Sequence, residues 1–213
     1  MHVRDIMTTN VVTIPSSISI TEAKRKMQAY RFRRLPVVDK GKLVGIVTEH
    51  RLESVSPSKA TSLTVWELSY LLDKTPVKEI MERNVVTVSP DITVEEALST
   101  AQTNKIGALV VLEDGRVVGI VTTNDFFYKI LNPTLGLGEP GSRIEVTGGG
   151  YGKSIEEIIS IINRFGLEIT GLHIQQLPEA AKKDLFLHVN SDDVSRLITE
   201  LDGKGYKVSL RKR

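Results

Sequence analysis

One stretch of this sequence is written twice, and the duplication limits the fold more than any other feature. Residues 3–52 and 77–126 align at a constant offset of 74, without a gap and with 19 identities in 50 positions, where average composition gives roughly three by chance. The matched pieces include Met7 with Met81, Asn10-Val11-Val12-Thr13 with Asn84-Val85-Val86-Thr87, and Glu22-Ala23 with Glu96-Ala97. Each copy has the same coarse order. Residues 11–14 read as a short strand, broken by Pro15-Ser16-Ser17 ahead of a helix with Ile20, Ala23, Met27 and Tyr30 on one face. Two strands follow, at residues 35–38 and 43–48. Between them Asp39-Lys40-Gly41-Lys42 is turn chemistry, and its counterpart Glu113-Asp114-Gly115-Arg116 carries the Asp-Gly pair favoured in tight hairpins. One helix face and a three-stranded sheet leave apolar surface for a second copy to cover, so the duplication predicts an intimate pseudo-twofold pair.

Both copies end on a heptad, Gly45-Ile46-Val47-Thr48-Glu49-His50-Arg51 and Gly119-Ile120-Val121-Thr122-Thr123-Asn124-Asp125. Each begins as a buried strand and places a threonine, then a polar side chain three residues on, at a strand-to-helix junction. A hydroxyl followed by a carboxylate at that spacing suits a ribose phosphate, because a carboxylate accepts hydrogen bonds from both hydroxyls of a cis-diol. Thr and Asp are also ordinary helix caps; their repetition favours the ligand reading. Only the second copy has the carboxylate. Arg51 offers five donors and no acceptor, so the two clefts are expected to differ, with ligand binding first at Thr122 and Asp125. Arg31, Arg33 and Arg34 stand before Leu35-Pro36-Val37-Val38, where the second copy has Lys105, Gly107 and Ala108. Two readings stay open for these arginines: a solvated helix end favoured by the dipole, or guanidinium forks on a phosphate.

Composition excludes several classes. No apolar run approaches the ~18 residues of a membrane span. Met1-His2-Val3-Arg4-Asp5 leads into the first copy without an apolar signal core, and cysteine is absent, so a cytoplasmic protein without disulfides or thiolate metal sites is expected. The formal net charge of +2 and the basic end Arg211-Lys212-Arg213 are too weak a footprint for nucleic acid. His2, His50, His173 and His188 show no ligand spacing, and no metal is expected. No set of residues assembles into a nucleophile–base or paired-carboxylate constellation, so the chain reads as non-enzymatic.

Between the copies, residues 54–62 are rich in Ser, Pro and Lys, after which Thr64-Val65-Trp66-Glu67 reads as a capping box opening a helix through Leu72. Trp66 and Tyr70, one turn apart, read as packing aromatics. Residues 132–141 hold three glycines and two prolines without periodicity, the composition of a mobile linker. Beyond it comes a strand at 143–147, a helix capped by Ser154-Ile155-Glu156-Glu157 with Ile155, Ile158, Ile159, Ile162 and Phe165 inward, and strands at 167–176 and 184–190. A helix at 192–201 and a strand at 206–210 complete the order βαββαβ, a ferredoxin-like sandwich. Gly148-Gly149-Gly150-Tyr151-Gly152-Lys153-Ser154 is not a Walker loop, which needs glycine at the position of Thr147, nor a dinucleotide loop, whose last glycine is here Lys153. It is either an anion site built from backbone N–H groups or a flexible turn.

The paired Gly-Ile-Val-Thr units, with Met7-Thr8, Asn10-Val11-Val12-Thr13 and Leu35-Pro36-Val37-Val38-Asp39, resemble a tandem pair of CBS domains, and residues 143 to about 210 resemble an ACT domain. The combination is similar to the acetoin-utilisation regulators of the B type. The resemblance implies an α/β (α+β) chain with a CBS pair at 1–131, repeats at about 3–55 and 77–131, a helical insert at 56–76, a linker at 132–142 and an ACT-like domain at 143–213. It further implies a regulatory module that binds an adenine nucleotide (AMP, ADP or ATP) or S-adenosylmethionine in the CBS clefts. Thr122 and Asp125 would hold ribose and phosphate, Thr87 would line the same cleft, and Gly107-Ala108-Leu109 would offer backbone to the base. Thr48 keeps the equivalent role in the first copy, with Thr13 and Arg34 also among the ligand-binding positions, while Arg51 replaces the expected ribose-binding Asp. ACT domains that bind amino acids usually carry an Asp before the turn glycine, and this chain has Gly149-Gly150-Tyr151-Gly152 there. A homodimer is expected, with a possible partner enzyme and neither nucleic acid nor membrane as partner. The alternative reading is a dimerisation scaffold or enzyme regulator without a physiological nucleotide, or an amino-acid sensor acting through the ACT-like domain.

Overall fold

A computed structural model describes residues 1–55, 64–176, 178 and 180–211; the Ser-Pro-Lys stretch at 56–62 and the end of the basic tail lie outside them. The chain divides into two compact units, Met1–Asp125 and Phe126–Arg213.

In the first unit, α1 (Val3–Ile6), α2 (Ile20–Tyr30), the hairpin β1 (Arg34–Asp39) and β2 (Lys42–Thr48), and α3 (Glu49–Ser54) form the first copy. Helix α4 (Val65–Lys74) follows, and then the second copy: β3 (Thr87–Val88), α5 (Val94–Thr103), the hairpin β4 (Ala108–Glu113) and β5 (Arg116–Thr122), and α6 (Thr123–Phe126). Both hairpins pair in the same register, Asp39 with Lys42 and Glu113 with Arg116. Ile20, Ala23 and Met27 are buried as the helical spacing predicts, but Tyr30 is exposed and stacks on Phe32, with ring centroids 5.8 Å apart.

The copies exchange their leading segments. Thr8 crosses to β5 of the second copy, trading backbone hydrogen bonds with Ile120 of 2.9 and 3.1 Å, and Glu82 crosses to β2 of the first, trading two of 2.9 Å with Ile46. The duplicated glycines make this possible. A Cβ on Gly119 would lie 2.4 Å from Met7 Sδ, and one on Gly45 would lie 2.6 Å from Met81 Sδ, so each methionine packs on the bare backbone of the other copy's sheet. Val77 and Met81 accordingly join the first copy's core with Ile14, Leu35, Val37 and Val47.

The strand predicted at residues 11–14 forms only as a single bridge, Ile14 to Val37, whereas its counterpart β3 pairs over two residues with β4. Pro36 supplies the reason. Thr87 pairs with Val110 in the second copy, and the residue equivalent to Val110 is Pro36, which has no N–H to donate to the ladder. Helix α4 has its capping box, with Thr64 N–H on Glu67 Oε2 at 2.8 Å and Glu67 N–H on Thr64 Oγ1 at 3.3 Å. The packing assigned to its aromatics is not seen: Trp66 is 86% exposed and Tyr70 64%, since both lie on the face of α4 turned to solvent.

The second unit carries β6 (Ser142–Thr147), α8 (Gly152–Arg164), β7 (Ile169–Gln175), β8 (Asp184–Val189), α9 (Ser195–Gly203) and β9 (Lys207–Arg211), an order of βαββαβ. Its antiparallel sheet runs β7-β8-β6-β9. Ile144, Val146, Leu185, Leu187 and Val189 face the helices, meeting Ile158, Ile161, Ile162, Leu197 and Leu201. Ile161 takes the inward place expected of Phe165, which is 38% exposed. Helix α8 begins at Gly152 rather than under a Ser154 cap, because Tyr151 already has extended backbone and stands as the N-cap without a side-chain bond.

The glycine-rich segment before this sheet is not a bare connection. Phe127–Leu131 is a π-helical turn and α7 (Asn132–Thr134) continues the helix. A Cβ on Gly136 (φ +66°) would fall 1.6 Å from His188 Nδ1, and one on Gly141 (φ +107°) would fall 2.0 Å from Val189 O. His188 alternates with the inward Leu187 and Val189, so Gly136 lies against the sheet face that the helices leave open. His188 is only 4% exposed there.

Candidate functional site

The ends of β5 and α6 bring Thr122 and Asp125 together. Asp125 Oδ2 accepts the Thr122 N–H at 2.8 Å and the Thr122 hydroxyl at 2.7 Å, two bonds that hold the carboxylate in the lining of a cleft of about 760 Å³. The cleft is lined by residues from both copies. Thr8, Asn10, Val11 and Val12 come from the exchanged segment, Phe32 from the turn before β1 and Arg34 from its first position, Gly107 from just before β4, and Ile120 from β5.

Arg34 is the main electrostatic feature. Its guanidinium crosses Gly107, where a Cβ would lie 2.8 Å from Arg34 Nη2, so the missing side chain makes the room. Desolvation, and then the neighbouring Arg33 charge, pull its pKa below the ordinary guanidinium value. Among the described residues Arg34 has no carboxylate partner, while Arg33 reaches Glu49 across 3.6 Å in an exposed pair. Arg31, at φ 56°, ends α2 in the left-handed region and also lines the cleft. Three cations and one carboxylate thus face one cavity. The solvated-helix-end reading therefore fails for Arg34, which is half-buried.

Other predicted positions fall elsewhere. Thr87 lines a separate pocket beside the two hairpin turns, because β3 stays with its own copy while the leading segment 8–12 crosses over. Thr13 is exposed and lies outside the cleft lining. Ala108 and Leu109 sit in the β4–β5 ladder opposite Thr122 and Val121, and the Leu109 side chain is wholly buried in the core; of that trio only Gly107 reaches the cleft. Thr48 caps α3 by accepting the Arg51 N–H at 3.2 Å. Arg51 itself donates from Nε to the Ile80 carbonyl at 3.1 Å, which draws its guanidinium onto backbone. Asn10, Phe32 and Thr123 were not foreseen as cleft residues. Asn10 is the one with a signal in the sequence, through its repetition as Asn84.

The glycine turn of the second unit offers no free N–H row. Gly148 N–H donates to Asp184 Oδ1 at 2.7 Å, Gly149 N–H to Val146 O at 3.1 Å, and Gly150 N–H to Lys183 O at 2.9 Å. An anion would have to displace all three, so the turn reading replaces the anion-site one. Among the described residues no helix is long and apolar enough to cross a membrane, and no three His, Cys, Asp or Glu stand together as metal ligands.

A family model for the CBS domain matches residues 3–56 and 77–132, a little over half of the chain. Homoserine O-acetyltransferase of Methanohalobium evestigatum is 37% identical over 128 residues, covering 58% of this chain and 23% of that protein. Inosine-5'-monophosphate dehydrogenase of Korarchaeum cryptofilum is 36% identical over 125 residues, again 58% of this chain and 23% of that one. The chain thus spans less than a quarter of the length of these curated relatives. Among solved structures, a Vibrio cholerae protein named for acetoin utilization (AcuB) is 32% identical with a TM-score of 0.52, over 62% of this chain and 91% of that one. With a pair of matched repeats, the exchanged segments that join them and a cleft at the second Gly-Ile-Val-Thr unit, the chain belongs to the CBS-domain family.

Proposed function

We propose that this chain is a non-enzymatic regulatory module that senses an adenine nucleotide in the cleft of Thr122 and Asp125. The observation that carries the reading is Arg34, a half-buried cation without an acidic partner among the described residues, set across Gly107 from a ribose-competent carboxylate. An anion there relieves the desolvated charge. Val11, Val12, Phe32 and Ile120 offer the base an apolar wall, Asp125 accepts from the ribose hydroxyls, and Arg34 with Arg31 meets phosphate. A cavity of about 760 Å³ suits a ligand of that size. This charge pattern favours AMP, ADP or ATP over S-adenosylmethionine, whose sulfonium is itself a cation. The second unit, with its βαββαβ order, serves as an ACT-like output and dimerisation domain, since edge strands β7 and β9 leave backbone for a second copy to cover. The acyltransferase and dehydrogenase activities named for the longer relatives are not proposed for this chain; regulation of a partner enzyme, as in acetoin utilization, is.

Isothermal titration with AMP, ATP and S-adenosylmethionine tests the ligand. The expected result is one AMP per chain, S-adenosylmethionine binding more weakly, and a loss of at least about tenfold for Asp125→Ala, since hydrogen bonds to a charged group contribute about 1.5–3 kcal/mol each. Arg34→Ala should weaken AMP but leave adenosine unchanged. Equal AMP affinity in wild type and Asp125→Ala would overturn the assignment. Light scattering should report two chains per particle.

A further inference from the structure

We propose that the first unit carries a second anion site, distinct from the nucleotide cleft, at the tips of the two hairpins. A cavity of about 710 Å³ opens there, with Lys40, Lys42, Arg83 and Arg116 at its rim against one carboxylate, Asp114. The whole chain has a formal net charge of only +2, so the concentration of cations is local.

The rim is built on constrained backbone. Lys40 and Gly41 have φ of 49° and 78°, and Asp114 and Gly115 have 50° and 74°. Both turns therefore hold the consecutive left-handed residues of a tight primed hairpin turn, closed by the Asp39–Lys42 and Glu113–Arg116 pairs. Lys42 and Arg116 consequently leave fixed points on the two sides of one pocket. Arg83 approaches from the leading segment of the second copy, its Nη2 donating to Lys78 O at 3.0 Å, which anchors the guanidinium. None of the four cations forms an ion pair among the described residues. Leu43, Val85 and Leu112 add apolar lining, and Thr87 lies among them.

Four unpaired cations around a partly apolar pocket fit a small, multiply charged anion: a di- or triphosphate group, free or carried on a compact metabolite. The duplication explains the origin of the site. Equivalent turns meet there, and substitution has made them unlike, Lys40 against Asp114, so that the pocket has a cationic side and a mixed side.

Titration of the full chain with inorganic tripolyphosphate tests the proposal, with amide chemical shifts to locate the site. The expected result is binding that moves Lys42, Thr87 and Arg116, and falls at least about tenfold in Lys42→Glu/Arg116→Glu, while AMP affinity and the thermal midpoint stay those of the wild type. Arg34→Ala should leave this binding intact. If the charge reversal changes nothing, or shifts cluster only at Arg34 and Asp125, tripolyphosphate occupies the nucleotide cleft and the proposal is wrong. Absence of binding at millimolar tripolyphosphate would also overturn it. Because AMP is read separately, failure here leaves the nucleotide assignment standing, and loss of AMP binding leaves this one standing.

Discussion

The two copies share a backbone and differ at the few positions that handle charge. Thr48 and Thr122 occupy the same place, yet Thr48 accepts a backbone N–H from Arg51 whereas Thr122 donates its hydroxyl to the Asp125 carboxylate. The second cleft takes Asp125 and Gly107 from the second copy and Arg34 from the first. The positions equivalent to these are Arg51, Arg33 and Ala108. Every exchange runs one way: the acceptor, the empty space and the half-buried cation all fall on one side of the pseudo-twofold axis. Duplication supplied two frames, and divergence put the carboxylate, the cation and the space beside them in one of them.

The frames themselves should still be interchangeable, and this predicts the largest effect. Leu35 and Leu109 are equivalent and both wholly buried. Each Leu→Ala substitution should cost about 2–5 kcal/mol of unfolding free energy, the range for buried leucine, and the two costs should agree within about 1 kcal/mol. Urea denaturation measures both. A large mismatch would mean that the cores have diverged as well, and the comparison would fail at its base.

Much of this was legible in the sequence because it is local. The offset of 74 gave the repeats, hydrophobic spacing gave α2 and α5, and the Asp-Gly and Lys-Gly pairs gave both hairpins. The Thr122–Asp125 pair was found because three residues at a strand end are a short-range signal. What failed was long-range or ambiguous. Thr87 was assigned to the wrong pocket because nothing in a single strand says that residues 8–12 cross to the other copy. The truncated first ladder had a visible cause, Pro36 in place of Val110, that pattern reading passed over. Residues 132–141 looked mobile because glycine is used both for freedom and for close approach. Gly136 against His188 is the second use, and composition does not separate the two.

A reciprocal transplant sharpens the comparison further. Arg33→Gly, Ala108→Arg and Arg51→Asp together rebuild in the first frame the residues that the second possesses. If these positions carry the asymmetry, the triple variant should take up a second AMP, raising stoichiometry from one to two per chain, with the new affinity at least about tenfold above that of the unaltered first cleft. Calorimetry reads both quantities. The lost Arg51–Ile80 bond should cost about 0.5–1.5 kcal/mol of stability, which thermal unfolding would register separately. A stoichiometry that stays at one would show that residues outside these three, such as Phe32 against Ile106, set the difference.

The smallest effect separates capping from binding. Thr48 is a direct N-cap, its Oγ1 accepting the Arg51 N–H at 3.2 Å, and replacing such a cap with Ala costs about 1 kcal/mol. Thr48→Ala should therefore lower the thermal midpoint by a few degrees and leave AMP affinity unchanged. Thr122→Ala is expected to behave in the opposite way. Its backbone N–H still reaches Asp125 Oδ2 at 2.8 Å, so most of the cap survives and the midpoint should move less. The hydroxyl that held Asp125 is gone, however, and the carboxylate is left to rotate away from the ribose. The expected result is a several-fold loss of AMP affinity with little loss of stability. Should Thr122→Ala cost more stability than affinity, its hydroxyl belongs to the helix cap alone, and Asp125 orients itself without help.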